Sequence, residues 1–368
     1  MICKIFCKGD IASGNLSTAI LLREIIMEAY QNSNVMIETI GNKANHLESK
    51  YSEVNSASIE IAVFIHLRRC HEVFRDLHPD VPVIAVCGGT DLNEDTKNPE
   101  FLSLMTEVVE RSKAVVLFSS SMLNLFAAVW PNYRGIVEVI SQSVAINVDR
   151  VQSLQAESLE WLNSQIGVPI RSFLLIVGRL RPVKDPQYAY QPFLEWNVQT
   201  SPTTKKKNNH QMASRVAEHR RHLIYIGSVE ENAPCIRQFL SSLKDNPYVH
   251  HVESIDKDVL HAIMLASDGL INCSISEGQS LTIMEALTLG TPVCARDIPG
   301  NRDLIQHDKN GLLFKTTEEF KQCLTRLCFE SGLRERLIQA GKDSMHESRF
   351  QKSNQIDSYA HLFSRLNL

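Results

Sequence analysis

The sequence has no long hydrophobic run. No segment reaches the roughly 20 consecutive apolar residues that a membrane-spanning helix needs. Lys4 and Lys8 interrupt the apolar N-terminus, so a signal-peptide core is not expected there. Residues 67–77 could form a basic amphipathic helix at a membrane surface, but their acidic residues and short length favour an ordinary surface helix. We therefore expect a cytoplasmic protein without a membrane span.

The chain also has no excess of positive charge. The chain has 38 Lys and Arg residues against 42 Asp and Glu residues, which gives a net charge of −4 at pH 7. Aromatic residues make up 7% of the chain and do not alternate with Lys and Arg, as a base-stacking surface would require. The composition therefore argues against nucleic acid as a partner.

Two patterns that would indicate other classes of protein are missing. The polar loop after the first predicted strand, residues 9–18, lacks the Gly-x-Gly-x-x-Gly pattern, so a dinucleotide-dependent oxidoreductase is poorly supported. The nine cysteines are scattered, and Cys3 and Cys7 have no second pair that would complete a zinc site. Several of the others lie inside apolar runs, which indicates buried thiols in a reducing compartment.

What the chain does contain indicates two α/β domains. Its 368 residues exceed what one hydrophobic core usually serves, and 43% of them are hydrophobic. Apolar, β-branched runs alternate with helical patterns in both halves, which is typical of doubly wound parallel sheets. The predicted strands are residues 2–7, 35–39, 61–65, 83–86, 114–118, 137–140, 173–177, 223–226, 250–252 and 270–271. Residues 200–221 show no period and are predicted to be a mobile insertion.

One strand-loop-helix junction, residues 270–292, carries most of the functional information. Its helical pattern starts after Ser280, a favourable N-cap, and closes at Gly290. The start of a helix presents unpaired N–H groups and the positive end of a dipole, so it can bind an anion. Glu277 and Glu285 would flank that anion and hold sugar hydroxyls, because a carboxylate accepts from a hydroxyl but repels a phosphate. The pattern fits a sugar nucleotide, and it fits equally well the alternative that Glu277 is solvated and Glu285 only complements the helix dipole.

This junction and a second segment resemble the donor-site motifs of retaining GT-B glycosyltransferases of family 4, which carry a glycosyltransferase group 1 domain. The first match is Glu277-x7-Glu285, followed by Gly290-Thr291-Pro292-Val293 and by Asn310-Gly311-Leu312-Leu313-Phe314. The second is Gly178-Arg179-Leu180, with Lys184, after the predicted strand 173–177.

The resemblance implies a fold and a domain organisation. It implies the α/β GT-B fold, in which two Rossmann-like, doubly wound domains face each other across a cleft. Residues 1–148 would form the acceptor-side domain and residues 149–345 the nucleotide-sugar domain. Residues 346–368 would form a helix that crosses back to the first domain.

The resemblance also implies roles for individual residues. Arg179 and Lys184 would stabilise the departing diphosphate, Glu285 would hold the ribose hydroxyls and Glu277 the donor sugar. Further donor-binding positions implied by the family are Gly14, Asn15, Gly227, Gly278, Gln279, Ser280 and Leu281. The implied acceptor-side positions are Thr18, Arg68, Arg69, Thr90 and Asp91.

The sequence departs from the family pattern in both halves. Gly88 stands where many members have the histidine of His-Gly-x-Asp, so that catalytic histidine cannot be carried over. His66-x-Arg68-Arg69 together with Gly89-Thr90-Asp91 resembles a smaller branch, which comprises animal proteins named for their glycosyltransferase group 1 domain and bacterial relatives that include selenosugar synthases. In that branch His66 could act as an acid/base or hydrogen-bond donor, although a lone histidine at a strand end is as often structural. Gln279 and Ser280 replace an apolar residue and a glycine, which leaves the sugar preference open.

The expected function is retaining transfer of a hexosyl unit from a nucleotide diphosphate sugar to an acceptor that the sequence leaves open. We expect no cofactor and no metal ion, because Arg179, Lys184 and a helix N-terminus can stabilise the diphosphate. Asp256-Lys257-Asp258 is explained by acidic residues at a helix start. Two alternatives remain: a nucleotide-sugar-binding scaffold or regulator, and a GT-B epimerase or a transferase to a sulfur or selenium nucleophile.

Overall fold

The structure is a computed structural model, and it describes residues 1–8, 14–31, 33–40, 59–200, 220–230, 233–244 and 246–367. Most of the predicted insertion at 200–221 and part of the loop at 9–18 lie outside the described residues. The chain divides into two compact units. The first consists of Met1–Ser143, Ser276–Gln279 and Glu347–Leu368, and the second of Val144–Ile275 and Ser280–His346.

The first unit is built on a parallel sheet. Within the described residues its strands lie in the order β2-β1-β3-β4-β5-β6. They are β1 Ile2–Lys8, β2 Asn34–Ile40, β3 Ile61–Ile65, β4 Val83–Val86, β5 Ala114–Leu117 and β6 Ile136–Val139. Every residue of β3, β4 and β5 is buried, as in parallel sheets with both faces covered. The sequence-based predictions for these strands are confirmed, with each end shifted by at most one residue.

The second unit contains another parallel sheet. Its described strands lie in the order β12-β11-β10-β7-β8-β9. They are β7 Phe173–Val177, β8 His222–Ile226, β9 Val249–Val252, β10 Gly269–Asn272, β11 Val293–Arg296 and β12 Leu312–Phe314. The predictions of β7 to β10 are confirmed. The short strands β11 and β12 were not among the strands predicted from the sequence.

Helices connect the strands. In chain order those of the described residues are α1 Gly14–Ala29, α2 His71–Asp76, α3 Gly89–Asn93, α4 Pro99–Arg111, α5 Ser120–Val129, α6 Val148–Ser153, α7 Gln155–Ile166, α8 Tyr190–Gln199, α9 Pro234–Leu243, α10 Lys257–Ala266, α11 Leu281–Leu289, α12 Pro299–Arg302, α13 Thr317–Phe329, α14 Leu333–Met345 and α15 Lys352–Arg365. None of the helices in these ranges combines the length and the apolar character that a membrane crossing requires. The segment at 67–77 yields only the short helix α2, which buries His71 and Phe74 in its own unit.

The C-terminal helix α15 packs within the first unit, against α1. Tyr359 and Phe363 are buried in that unit's core. The Tyr30 hydroxyl donates to the Ala360 carbonyl oxygen at 3.2 Å, and the Tyr30 and Phe363 rings meet edge to face. The end of the chain therefore completes the apolar core that its beginning starts.

Both sheets are parallel, which decides where functional residues gather. The carboxyl ends of parallel strands lie at one edge of a sheet, so the loops that follow those strands come close together. In the first unit these are the loops after β3 and β4. In the second unit they are the loops after β7, β8 and β10.

Candidate functional site

The helix α11 opens as the sequence predicts. The Ser280 hydroxyl accepts from the Ile283 N–H at 3.4 Å, which confirms Ser280 as the N-cap. The helix ends at Gly290, whose φ of 82° is the left-handed conformation that glycine adopts readily. Leu281, the first helical residue, is half-buried. This helix start supplies backbone N–H groups and a positive dipole end in the second unit.

Glu285 is buried inside α11 and has two basic neighbours. Its residue is 7% exposed, and its Oε1 lies 3.0 Å from Lys257 Nζ and 3.5 Å from His261 Nε2. Burial raises the pKa of Glu285, but His261 and Lys257 outweigh it, and the pKa of the carboxyl lies below its usual value. Glu285 is therefore an ionised acceptor at neutral pH, as holding a hydroxyl group requires.

Sequence reasoning missed the partners of Glu285. Lys257 and His261 are four residues apart on one face of α10, but nothing in the sequence says that this face meets α11. The Asp256 side chain accepts from the Asp258 N–H at 2.8 Å and caps α10. The explanation of this acidic motif as a helix start is thereby confirmed.

The loops after β7 and β8 form a tight backbone pair in the second unit. Gly178 and Gly227 have φ values of 136° and 150°, which side-chain-bearing residues rarely adopt. A Cβ at Gly227 would lie 2.2 Å from the Gly178 carbonyl oxygen, so only glycine fits there. The Leu180 N–H donates to the Ser228 carbonyl oxygen at 2.8 Å and fixes the loop that carries the half-buried Arg179.

Lys184 lies at the end of a 3-10 turn, Pro182–Lys184, in the same loop. The next residue, Asp185, has a φ of 43° and accepts from Arg296 Nη2 at 2.8 Å. The Arg296 guanidinium also stacks over the Tyr188 ring, 4.0 Å from its centroid. These contacts brace the position of Lys184. The Arg296–Asp185 pair could not be predicted from the sequence, because its members are far apart in the chain.

The segment that carries Glu277 and Gly278 belongs to the first unit, and Gln279 anchors it there. The Gln142 N–H donates to Gln279 Oε1 at 2.8 Å, and Gln279 Nε2 donates to the Phe118 carbonyl oxygen at 3.2 Å. A Cβ at Gly89 would lie 2.3 Å from Gly278 N, so these two backbones are in close contact. Both polar ends of the Gln279 amide are thus used in holding the segment in place.

The first unit also brings together three predicted acceptor-side or catalytic residues. His66 follows β3, with a φ of 77°, and its Nδ1 lies 2.5 Å from Asp91 Oδ1. Arg68 Nε donates to Asp95 Oδ2 at 2.7 Å, and that oxygen lies 3.8 Å from His66 Nε2. Asp95 is the member of this cluster that sequence reasoning missed. Among the described residues, His66, Asp91 and Asp95 are the one His, Cys, Asp or Glu group whose ligand atoms lie close enough to hold a metal ion.

The other site residues predicted in the first unit lie in α1 and in the segments that follow β3 and β4. Gly14 and Asn15 begin α1, and Thr18 Oγ1 donates to Gln142 Oε1 at 2.9 Å. Arg69 is half-buried in the turn that follows β3, and Thr90 is half-buried in α3, which follows β4. Thr18 therefore contacts Gln142, the residue whose N–H donates to Gln279. No contact between Asn15 and Gln142 is described.

The chain is similar to proteins of one known family. Residues 169–344 match the model of the family described as Glycosyl transferases group 1. The chain is 32% identical, over 266 residues, to Glycosyltransferase 1 domain-containing protein 1 of Xenopus tropicalis, and the match covers 71% of this chain and 70% of that protein. It is 23% identical, over 180 residues, to an uncharacterized glycosyltransferase of Methanocaldococcus jannaschii, covering 47% of this chain and 40% of that one.

Solved structures show the same fold. Anabaena HepE in complex with UDP-glucose has a TM-score of 0.75 at 15% identity, with 99% of this chain and 100% of that chain covered. Sucrose-phosphate synthase from Thermosynechococcus elongatus has a TM-score of 0.71 at 14% identity, with 99% and 98% covered. The fold is GT-B, as the sequence predicts. With a relative 32% identical over most of both chains, this chain belongs to the glycosyltransferase group 1 family.

Proposed function

We propose that the protein is a retaining glycosyltransferase that moves a hexosyl unit from a nucleotide diphosphate sugar to an acceptor. The observation that carries the proposal is the buried, ionised Glu285, which lies one turn inside a helix with a capped N-terminus. A carboxylate held ionised beside Lys257 accepts hydrogen bonds from ribose hydroxyls, while the helix N-terminus attracts phosphate. HepE, which has the same fold, was crystallised with UDP-glucose.

Within this proposal Arg179 and Lys184 stabilise the diphosphate as it leaves. The guanidinium offers several N–H donors in a plane and the ammonium adds a point charge, so no metal ion is needed at the phosphates. The paired loops at Gly178 and Gly227 hold Arg179 in place, and Asp185 with Arg296 holds the turn of Lys184. Stabilisation of this kind acts where charge develops in the transition state.

Glu277 contributes to the donor sugar in this proposal. It lies between Ser276 and Gly278 in the segment that Gln279 fixes to the backbone of the first unit. A fixed segment positions a carboxylate with little loss of conformational entropy on binding. Gln279 itself acts as the anchor of the segment and Ser280 as the cap of α11.

The test is a panel of UDP-, GDP- and ADP-sugars, scored first by thermal shift and then by release of nucleoside diphosphate. A bound donor raises the unfolding temperature, by mass action. We expect one nucleotide class to stabilise the protein and to be turned over slowly. Glu285→Gln, which keeps the shape and removes the charge, should weaken donor binding by about tenfold, which is about 1.4 kcal/mol.

The control variant is Glu335→Gln, an exposed glutamate on α14 of the same unit. It should bind donor as the parent protein does. Binding without any release of nucleoside diphosphate would favour the scaffold alternative. Absence of stabilisation by every nucleotide sugar would contradict the proposal.

A further inference from the structure

His66, Asp91 and Asp95 form a cluster of titratable side chains buried in the first unit. Their side chains are 3%, 0% and 8% exposed. Burying an ionised carboxylate costs several kcal/mol unless an opposite charge and hydrogen bonds compensate. Arg68 balances one of the two carboxylates through its contact with Asp95. The second carboxylate, that of Asp91, faces His66.

The polar atoms at the centre of the cluster lack hydrogen bonds. Neither ring nitrogen of His66 has a hydrogen-bond partner, and neither does Asp91 Oδ1. Although His66 Nδ1 and Asp91 Oδ1 are 2.5 Å apart, the oxygen lies off the direction in which the ring nitrogen donates. Both ring nitrogens of His66 and Asp91 Oδ1 can therefore take a third partner.

Each of the two carboxylates also has one oxygen that accepts a hydrogen bond from the protein. The Gly88 N–H donates to Asp91 Oδ2 at 2.8 Å, and Arg68 Nε donates to Asp95 Oδ2 at 2.7 Å. Carboxylates that bind metal ions are commonly oriented by hydrogen bonds of this kind. One ligand atom from each of the three residues lies within 4.8 Å of the other two. Ligands bonded to one ion at about 2.0–2.2 Å lie about 3 to 4.4 Å apart, so small side-chain rotations would bring all three onto an ion.

We propose that His66, Asp91 and Asp95 bind a divalent transition-metal ion of the zinc and manganese type. One imidazole nitrogen with two carboxylates suits Zn²⁺ or Mn²⁺, whereas Mg²⁺ and Ca²⁺ prefer oxygen ligands alone. Three protein ligands leave at least one position for water or for an oxygen of a bound molecule. The ion would add positive charge beside the two buried carboxylates.

The ion would tie together loops that follow neighbouring strands. His66 comes after β3, Asp91 lies in α3 after β4, and Asp95 begins the next 3-10 turn. Gly89, two residues before Asp91, is in close contact with Gly278. The ion thus stabilises the backbone on which the segment of Glu277 rests. As a ligand, His66 is a positioning residue rather than the acid/base that its branch suggests. The proposal does not depend on the donor or on the reaction.

Metal analysis of the full chain tests the proposal. The protein is stripped with a chelator, then titrated separately with Zn²⁺, Mn²⁺, Mg²⁺ and Ca²⁺, and bound metal is measured by mass spectrometry. We expect about one Zn²⁺ or Mn²⁺ per chain, with a raised unfolding temperature. His66→Asn, which suits the left-handed backbone, and Asp91→Asn, which keeps the Gly88 contact, should each weaken binding at least about 100-fold.

The matched control is His71→Asn. His71 is another buried histidine of the first unit, and its Nε2 lies 2.7 Å from Glu107. This variant should bind metal as the parent does. Absence of a bound ion in the parent, or undiminished binding in both His66→Asn and Asp91→Asn, would overturn the proposal.

A Co²⁺ absorption spectrum of the unmutated chain provides a second test, which does not depend on whether the variants fold. Nitrogen and oxygen ligands give weak visible bands, whereas cysteine thiolates add strong near-ultraviolet charge-transfer bands. The nine cysteines carry no disulfide and are the obvious competing ligands. Visible bands without thiolate bands support the site at His66. Thiolate bands would place the ion elsewhere and refute it.

Discussion

The candidate sites of the two units are built from different kinds of interaction. In the second unit, the proposed donor site depends on backbone geometry: a capped helix start, two glycines in positions closed to other residues, and one ionised carboxylate with basic neighbours. In the first unit, the distinctive feature is a buried cluster of side chains whose central atoms lack hydrogen bonds. On the two proposals, the second unit binds its anion with groups that the chain itself supplies, whereas the first unit gains a charge from a bound ion.

The largest effect expected from this comparison is on catalysis in the second unit. Arg179→Ala removes a cation proposed to stabilise the departing diphosphate, and should lower kcat by about 10² to 10³-fold. The fold should be retained, because the loop is also fixed by backbone hydrogen bonds. The measurement is kcat with the donor that the nucleotide-sugar panel identifies.

Arg171→Ala serves as the control for that variant. Arg171 is exposed and precedes β7, at the opposite end of the strand from Arg179. Parent-like turnover in Arg179→Ala would remove the central residue of the proposed donor site.

A smaller effect is expected on the stability of the first unit. Gln279→Met fills a similar space but leaves the Gln142 N–H and the Phe118 carbonyl oxygen without the amide that satisfies them. Each lost partner is buried, so the free energy of unfolding should fall by about 2 kcal/mol. Urea unfolding measures the loss, and Gln339→Met, at an exposed position on α14, is the control.

Gln279 was predicted to bind the donor, and the same variant separates the two roles. If Gln279 only anchors the segment, the variant should lose donor affinity only because Glu277 is held less firmly, and this loss should accompany the loss of stability. A loss of donor binding with unchanged stability would show that its amide contacts the ligand instead.

The smallest expected effect is acid sensitivity of the second unit. His222 Nδ1 and His250 Nε2 are 2.9 Å apart. Burial and the neighbouring His250 lower the pKa of His222 to about 4, against about 6.5 in an unfolded chain. Between these values the unfolded state binds a proton that the folded state does not. Stability should therefore fall as the pH drops from about 6.5 to about 4, by about 1 kcal/mol for this partly exposed pair.

His222→Gln should flatten that decline. Urea unfolding at neutral pH and at about pH 5 provides the measurement, and the exposed His346 supplies a control, His346→Gln. An equally steep decline in His222→Gln would assign the acid sensitivity to other groups.

Local sequence patterns predicted most of the fold, and interactions between distant residues account for what they missed. The strands, the cap at Ser280 and the stop at Gly290 depend on neighbouring residues, so the chain itself reveals them. The partners Lys257 for Glu285, Arg296 for Asp185 and Asp95 for His66 depend on which helices and loops meet. A single sequence carries no periodic signal for such encounters. Gly88 and Gln279 could be recognised as departures from a pattern, but their physical consequences depend on the contacts that they make in the folded chain.

The anchoring of Gln279 limits how far the two units can be treated as interchangeable modules. The chain leaves the second unit at Ser276 and re-enters it at Ser280. A fragment of residues 144–346 would contain the whole matched family region and yet lack Phe118 and Gln142, the partners that hold this short excursion. Glu277 would then sit on an unsupported loop. Grafting the donor unit onto another acceptor unit would therefore succeed only if the recipient offers a backbone donor and acceptor at the matching positions.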